Sequence, residues 1–431
     1  MGATLSHLRR VGGLAGMLLL ASLAGAARAQ PLSAYFPAGV PGYGTMPGVT
    51  VLSRARPDYD PPGIRVDDIL IHPSLEEGIG YDSNVLGGPG AAGSWTLGTH
   101  PAVGVASDWS RDAIGGVLSL DDTRYLDAPR QGRADGTAAF GGTLAVGRDE
   151  LTLAAAHLVL HEDRSILDAL RSDTPVAFTL DDWRLAYTVA LNRLALTPNV
   201  ELSRYRYAGT TIMGVPASQG YRDRDVLAGG LTARYEVMPL LNGLLVLRGV
   251  GTGYVAPQAG QPSRNSTGAL VLLGLSNDGD AVWRYRLLLG WEQRQFAASA
   301  YRAHDAPVAE GQLIWSPSGL LTLTATLTRS IEDAAQEGVA GYTYTAAKLT
   351  IEHEYCRDIL LQASAGMQQA DFLQGGGRQT ALLAGVGITW LVNRQLRVSA
   401  TYDFNQQEGG GAGTAGAFTR SLGLVTVRYG W

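Results

Sequence analysis

The sequence predicts an all-β protein, an up-and-down antiparallel β-barrel of about eighteen strands that crosses a membrane, with sixteen as the alternative count. Three observations carry that expectation. From about residue 69 onward, segments of roughly 10–16 residues alternate apolar with polar or small side chains. The links between these segments alternate short and long, and the chain ends on a strand of β-branched and aromatic residues reaching Trp431.

The first 29 residues are expected to be a signal peptide. Arg9 and Arg10 form a positive n-region, Val11 to Leu23 is an apolar run, and Ala27-Arg28-Ala29 is the small-x-small pattern that precedes cleavage. The apolar run is about 13 residues long, short of the roughly 20 that span a bilayer as a helix. Loss of Arg9, Arg10 and Arg28 moves the formal net charge from -5 to -8. Such acidity excludes general affinity for nucleic acid or anionic membrane surfaces. Lys348 is the sole lysine, and Cys356 the sole cysteine, so neither an internal disulfide nor a thiolate metal cluster can form.

Residues 30–68 contain Pro31, Pro37, Pro41, Pro57, Pro61 and Pro62 and show no helical or strand periodicity. Proline lacks the donor that either ladder needs, and the segment has too little apolar surface to fold alone. It is read as an irregular periplasmic tether or plug.

Residues 69–431 are read as the barrel. The clearest strand is 282–294, where Trp283, Tyr285, Leu287, Leu289 and Trp291 take one face and Arg284, Arg286, Gly290, Glu292 and Arg294 the other. Leu321, Leu323, Ala325 and Leu327 likewise oppose Thr322, Thr324, Thr326 and Thr328, and Leu396 to Phe404 alternates around Arg397 and Asp403. Strands are expected near 69–82, 94–107, 111–126, 134–148, 151–163, 175–190, 194–208, 223–237, 242–255, 267–277, 280–297, 306–316, 319–332, 340–354, 358–371, 378–391, 394–406 and 417–431. Short links such as Gly147-Arg148-Asp149-Glu150 and Val392-Asn393-Arg394 contrast with long ones at 209–222, 256–266, 298–305, 333–339 and 407–416. Minimal periplasmic turns and extended outer loops give that rhythm, and an even count places both barrel ends in the periplasm. Lipid tolerates no open sheet edge, so the array must close. The setting this implies is the outer membrane, with its lipid and lipopolysaccharide. A soluble β-helix or stacked sandwich is the competing architecture.

The inward face is expected to carry charge. Arg124, Arg234, Arg284, Arg286, Arg294, Arg397 and Arg428 should point inward with Glu236, Glu292, Glu352, Glu354 and Asp403. Buried unpaired charge is costly, so these groups should pair across strands or face water. The pore lining is assigned to Arg234, Glu236, Arg284, Arg286, Glu292, Arg294, Arg397 and Asp403, with the narrowest part drawn from Arg234, Arg284, Arg286 and Arg397. In the last strand Val425, Val427, Tyr429 and Trp431 should face outward, and Thr426, Arg428 and Gly430 inward. That terminus is similar to the signal read by barrel-assembly machinery, a transient partner.

Nothing points to catalysis. There is no G-x-S-x-G elbow, H-E-x-x-H, phosphate loop or dinucleotide fingerprint. His161 and His353 stand without a nucleophile placed beside them, and Asp82-Ser83-Asn84 reads as a turn rather than a calcium loop. No enzyme, cofactor or metal is expected.

The sequence Tyr59-Asp60-Pro61-Pro62-Gly63-Ile64-Arg65-Val66, then Ile69-Leu70-Ile71-His72-Pro73-Ser74-Leu75-Glu76, then Gly80-Tyr81-Asp82-Ser83-Asn84-Val85 resembles the opening of the putative β-barrel porin 2 family. The resemblance is sharp over 59–85 and beyond it rests on pattern and length. Asp67-Asp68 stands where a glycine or another small residue is expected. The resemblance implies a bacterial outer-membrane barrel without catalytic residues. Family members are often associated with exopolysaccharide or capsule systems, which would make periplasmic polysaccharide-export proteins partners. Two functions stay open: a channel for polar solutes, with exopolysaccharide export as a special form, or a non-conducting barrel that anchors an envelope assembly.

Overall fold

The computed structural model describes residues 36–37, 39–43, 49–90, 92–256, 260–277, 279, 282–375, 377–410 and 416–431. The signal segment 1–29 lies outside the described residues. Eighteen long strands follow one another: β1 (Ile69–Asp82), β2 (Ser94–Ser107), β3 (Ala113–Tyr125), β4 (Arg133–Val146), β5 (Asp149–His161), β6 (Ala177–Leu191), β7 (Leu194–Tyr207), β8 (Arg224–Met238), β9 (Leu241–Tyr254), β10 (Ser266–Asn277), β11 (Trp283–Phe296), β12 (His304–Ser318), β13 (Leu321–Glu332), β14 (Tyr342–Cys356), β15 (Ile359–Phe372), β16 (Arg378–Leu391), β17 (Leu396–Gly409) and β18 (Phe418–Gly430). Each pairs antiparallel with the next, and β1 pairs with β18 from Ser74 opposite Gly430 to Asp82 opposite Leu422. The sheet therefore has no edge. All eighteen expected strands are present, with ends displaced by three residues at most.

The alternation sets the two faces. On β11, Trp283, Leu287, Leu289 and Trp291 are exposed on the outer surface, while Arg284, Leu288 and Arg294 are buried within. Exposed aromatic residues gather toward the short-turn rim, among them Tyr235, Trp283, Tyr355, Trp390, Tyr429 and Trp431. Amphipathic rings at that height form an interfacial girdle. Where β10 meets β11 the backbone approaches two glycines closely: a Cβ at Gly274 would collide with the Leu287 carbonyl, and one at Gly290 with the Val271 carbonyl.

Four local features differ from the sequence reading. Arg124 points outward, not inward: β3 presents Leu118 and Leu120 to the lipid, and Arg124 shares their parity, donating from Nε to Asp122 Oδ2 at 2.8 Å. It lies one residue from the long-loop end of the strand, where a cation meets headgroups rather than hydrocarbon. The inner wall of β9–β12 is not charged throughout, because Leu244, Val246, Leu270, Leu272, Leu288 and Val308 form an apolar cluster there. Ile64–Val66 is a short strand folded back on Ile69–Ile71. Its turn puts Asp67 at φ 51°, a left-handed conformation that favours glycine and that aspartate tolerates. Thr210–Ile212 and Val215–Ala217 form a small hairpin in the long loop 209–222, masked in the sequence by Pro216.

Candidate channel interior

Within the pre-barrel segment, residues 36–37, 39–43 and 49–60 are packed inside the ring. Phe36, Val40 and Tyr43 lie against inward residues of β3–β7, including Val117, Ala139, Leu158, Leu180 and Tyr205. Gly42, at φ 87°, and the bare Gly141 wall allow this approach, since a Cβ at Gly141 would strike the Pro41 carbonyl. The Tyr43 hydroxyl donates to the Asp182 carbonyl at 3.0 Å. The Arg184 guanidinium lies 4.4 Å from the Phe36 ring centre and pairs with Asp182 at 2.9 Å and Glu201 at 3.0 Å.

Residues 49–60 occupy the opposite arc. The Val51 N–H donates to Thr322 Oγ1 at 3.2 Å and the Leu52 N–H to Glu352 Oε2 at 2.9 Å. Arg56 donates to Glu354 Oε2 at 3.0 Å, and Arg54 pairs with the same carboxylate. Arg284 donates to the Val49 carbonyl, and Arg397 reaches Asp60 Oδ1 at 2.6 Å. Val51 fits between Leu360 and Leu391. The segment thus touches walls on both sides of the lumen, higher up against β3–β7 and near the short-turn end against β13 and β14.

The long loop between β5 and β6, residues 162–176, makes a second crossing nearer the long-loop end. Leu167 packs among Tyr344, Ala370, Phe372, Ala381 and Ala334. Tyr344 is on β14, nine strands around an eighteen-strand ring from β5, so the loop reaches the far wall. The Asp168 N–H donates to Gln379 Oε1 at 2.7 Å, and its carboxylate accepts from the Ala335 N–H and from Gln336 Nε2 at 3.1 Å. At the loop base, Arg420 grips Asp82 with Nε at 3.0 Å and Nη2 at 2.7 Å, and contacts Asp163 at 3.2 Å. Burial alone would raise the Asp163 carboxyl, but Arg420 and Arg133 hold it at about 2.

Beside this loop is a cavity of about 250 Å³. Arg222 stacks over Tyr207 at 4.0 Å and Arg224 over Tyr205 at 4.2 Å. Asp333, at the start of the loop after β13, bridges Arg224 Nε at 3.1 Å and Arg294 Nη1 at 3.0 Å. Burial pushes the Asp333 carboxyl up, and Arg294, Arg224 and Arg264 outweigh it to hold it below the usual range. Arg222 pairs with Glu162, its Nη1 lying 3.0 Å from Oε2. Guanidinium forks and ring faces of this kind bind hydroxyls, carboxylates and flat polar groups without supplying a nucleophile. Among the described residues there is no cluster of metal-ligating side chains.

The expected pore-lining residues do not form one ring. Arg284 and Arg397 hold the pre-barrel segment, whereas Arg294 lies in the cavity, about 30 Å along β11 from Arg284 at the usual strand rise. Arg234 and Glu236 are exposed near the short-turn mouth, and Arg286, Glu292 and Asp403 are half-buried on the inner face. Arg284 and Arg397 find partners in the pre-barrel segment and Arg294 in the loop after β13, and only Arg284 also reaches a neighbouring strand, at Ser316 Oγ of β12 at 3.4 Å. Arg222, Arg264 and Asp333 were missed because they sit in loops or at strand ends, and Arg420 because a single inward arginine looks like any other. The sequence distance from Asp82 to Arg420 hides their contact.

Among solved structures the chain is similar to OpdK of Pseudomonas aeruginosa, with 13% identity and a TM-score of 0.42, covering 84% of this chain and 99% of that one. It is also similar to OccK2 (OpdF) of the same organism, with 14% identity, a TM-score of 0.45, and 85% and 98% covered. OccAB2 of Acinetobacter baumannii gives 10% identity, a TM-score of 0.45 and the same coverage. No curated protein matches the sequence. The family model described as "Putative beta-barrel porin 2" matches residues 56–429, which takes in the whole ring, and the chain belongs to that family.

Proposed function

We propose that the protein is a constricted channel for small polar solutes in the outer membrane, with both barrel ends in the periplasm. The single observation that carries this reading is the charged and aromatic cavity inside a closed eighteen-strand cylinder. A ring of that size is wide enough for a hydrated lumen, and its inward charges need water or partners. Residues 36–60 act in this reading as an internal plug, and loop 162–176 as a second constriction. Pore-lining roles belong to Arg222, Arg224 and Arg294 at the cavity and to Arg284 and Arg397 beneath the plug. Lipopolysaccharide outside the wall and the assembly machinery during biogenesis complete the set of partners. Exopolysaccharide export fits less well, because a polymer would have to displace both crossings at once. The density of ties across the lumen favours, as a second reading, a closed barrel with an anchoring role.

Solute flux separates these readings. Proteoliposomes containing the mature chain should swell in isotonic monosaccharide or amino-acid solutions and not in a large oligosaccharide. Entry of the oligosaccharide as fast as the monosaccharide would contradict a constricted path. No swelling in any solute would favour the anchoring role.

A further inference from the structure

Of the four carboxylates in loop 162–176, Asp163 and Asp168 lie in opposite surroundings. Asp163, at its base, is fixed by Arg420, and the Ser165 carbonyl there accepts from Asn405 Nδ2 at 3.1 Å. Asp168, at the tip, is buried and takes its direct hydrogen bonds from the Ala335 amide and the Gln336 carboxamide, with no cation in contact. The charged groups around it are already engaged. Arg222, from the loop before β8, is forked onto Glu162, and Asp333, from the loop after β13, is held by Arg224 and Arg294. Facing it from β16 is the neutral Gln379. The tip also adopts a left-handed backbone, with Asp168 at φ 64°, which aspartate tolerates as it does at Asp67.

We propose that loop 162–176 is a proton-controlled latch across the lumen. It is hinged at Asp163–Ser165, and its Leu167–Asp168 tip holds the far wall while Asp168 is protonated and lets go as Asp168 ionises. This rests on the channel reading for its purpose, which is to widen the long-loop side of the path. Protonation fits the geometry: Oδ2 still accepts from Ala335, and a half-turn of the Gln336 carboxamide lets its oxygen accept from Oδ1–H.

The direction with pH follows from linkage. Burial raises the Asp168 carboxyl from the ordinary 3.8 to about 7 in the latched state, whereas a released, solvated aspartate returns toward 3.8. The latched state therefore binds the proton more tightly. Its extra stability is full below about pH 4, falls about tenfold in equilibrium constant per pH unit above that, and is gone once the pH passes about 7. Asp163 stays ionised throughout this window, so the hinge holds.

Hydrogen–deuterium exchange of the full mature chain in lipid nanodiscs tests the latch. After correction for intrinsic exchange rates, protection of residues 164–170 should fall roughly 50- to 100-fold from pH 5 to pH 7.5. Asp168→Asn should keep the acid value at both pH values, and Leu167→Ala should remove protection at both, while strand amides in each variant report an intact barrel. Equal protection at the two pH values in the parent chain would overturn the latch, as would an unchanged pH response in Asp168→Asn. Conductance recorded on the same preparation keeps the two ideas apart. A pH-dependent tip in a silent barrel supports the latch and removes the channel, whereas a conducting barrel with a pH-independent tip does the reverse.

Discussion

Deletion of Tyr429 to Trp431 is expected to abolish assembly of the barrel while leaving export across the inner membrane intact. These residues end the seam that closes the ring. The Trp431 N–H donates to the Pro73 carbonyl at 3.2 Å, and the Trp431 carbonyl accepts from the Gly63 N–H at 3.1 Å. Tyr429 lies opposite Leu75 on one side and Leu396 on the other. Both aromatic rings face outward, with centroids 4.7 Å apart, at the height of the interfacial girdle. Shortening β18 leaves backbone groups of β1 and β17 unpaired at the membrane boundary, and such groups cost several kcal/mol each in hydrocarbon. The outer-membrane fraction should lose the heat-modifiable band that marks a folded barrel. A truncated chain that assembled as efficiently as the parent would show that closure does not depend on this terminus.

The second large effect is expected from Arg420→Met. This substitution keeps the bulk of the side chain but strips the cation from Asp82, which is fully buried, and from Asp163. Breaking a buried ion pair from one side costs about 3–5 kcal/mol, because the remaining charge is stranded. The barrel should then unfold at a clearly lower temperature at pH 7. The deficit should shrink in acid. In the parent, the depressed Asp163 carboxyl contributes stability above about pH 4 that is lost as the pH falls through about 2, and the variant lacks that contribution. The same melting temperature as the parent at pH 7 would mean that the pair is solvated and carries little of the structure.

The strands were legible because lipid enforces a period of two over every crossing and closure forbids exceptions at an edge. Leu396, Val398 and Ala400, or Val425 and Val427, announce their face without reference to any distant residue. The interior was far less legible. A strand pattern says that Arg284 points inward but not that its partner is the carbonyl of Val49, which belongs to a segment with no period at all. Asp168 looked like any loop aspartate, since its burial is created by Ala335, Gln336 and Gln379 from chain far away in sequence. Arg124 was misplaced for a more local reason: near a strand end the boundary between hydrocarbon and headgroup, not the face, decides where a charge is tolerated. Asp67 shows the converse, because the hairpin needs a left-handed residue and aspartate meets that need without being glycine.

On the channel reading, the lumen is the solute path and the chain between residues 36 and 60 narrows it from within. Single-channel recording in planar bilayers tests it most directly, comparing the mature chain with one lacking residues 30–60 that keeps the Ile64–Val66 hairpin. Removal frees the inward charges Arg284, Glu352, Glu354 and Arg397 from their contacts with that segment and exposes them to water. The shortened chain should conduct in discrete steps several-fold larger than the mature chain, with ion selectivity altered further by replacing Arg284 and Arg397 with neutral residues. Equal conductance from the two chains would contradict the internal plug, and silence from both would contradict the channel itself.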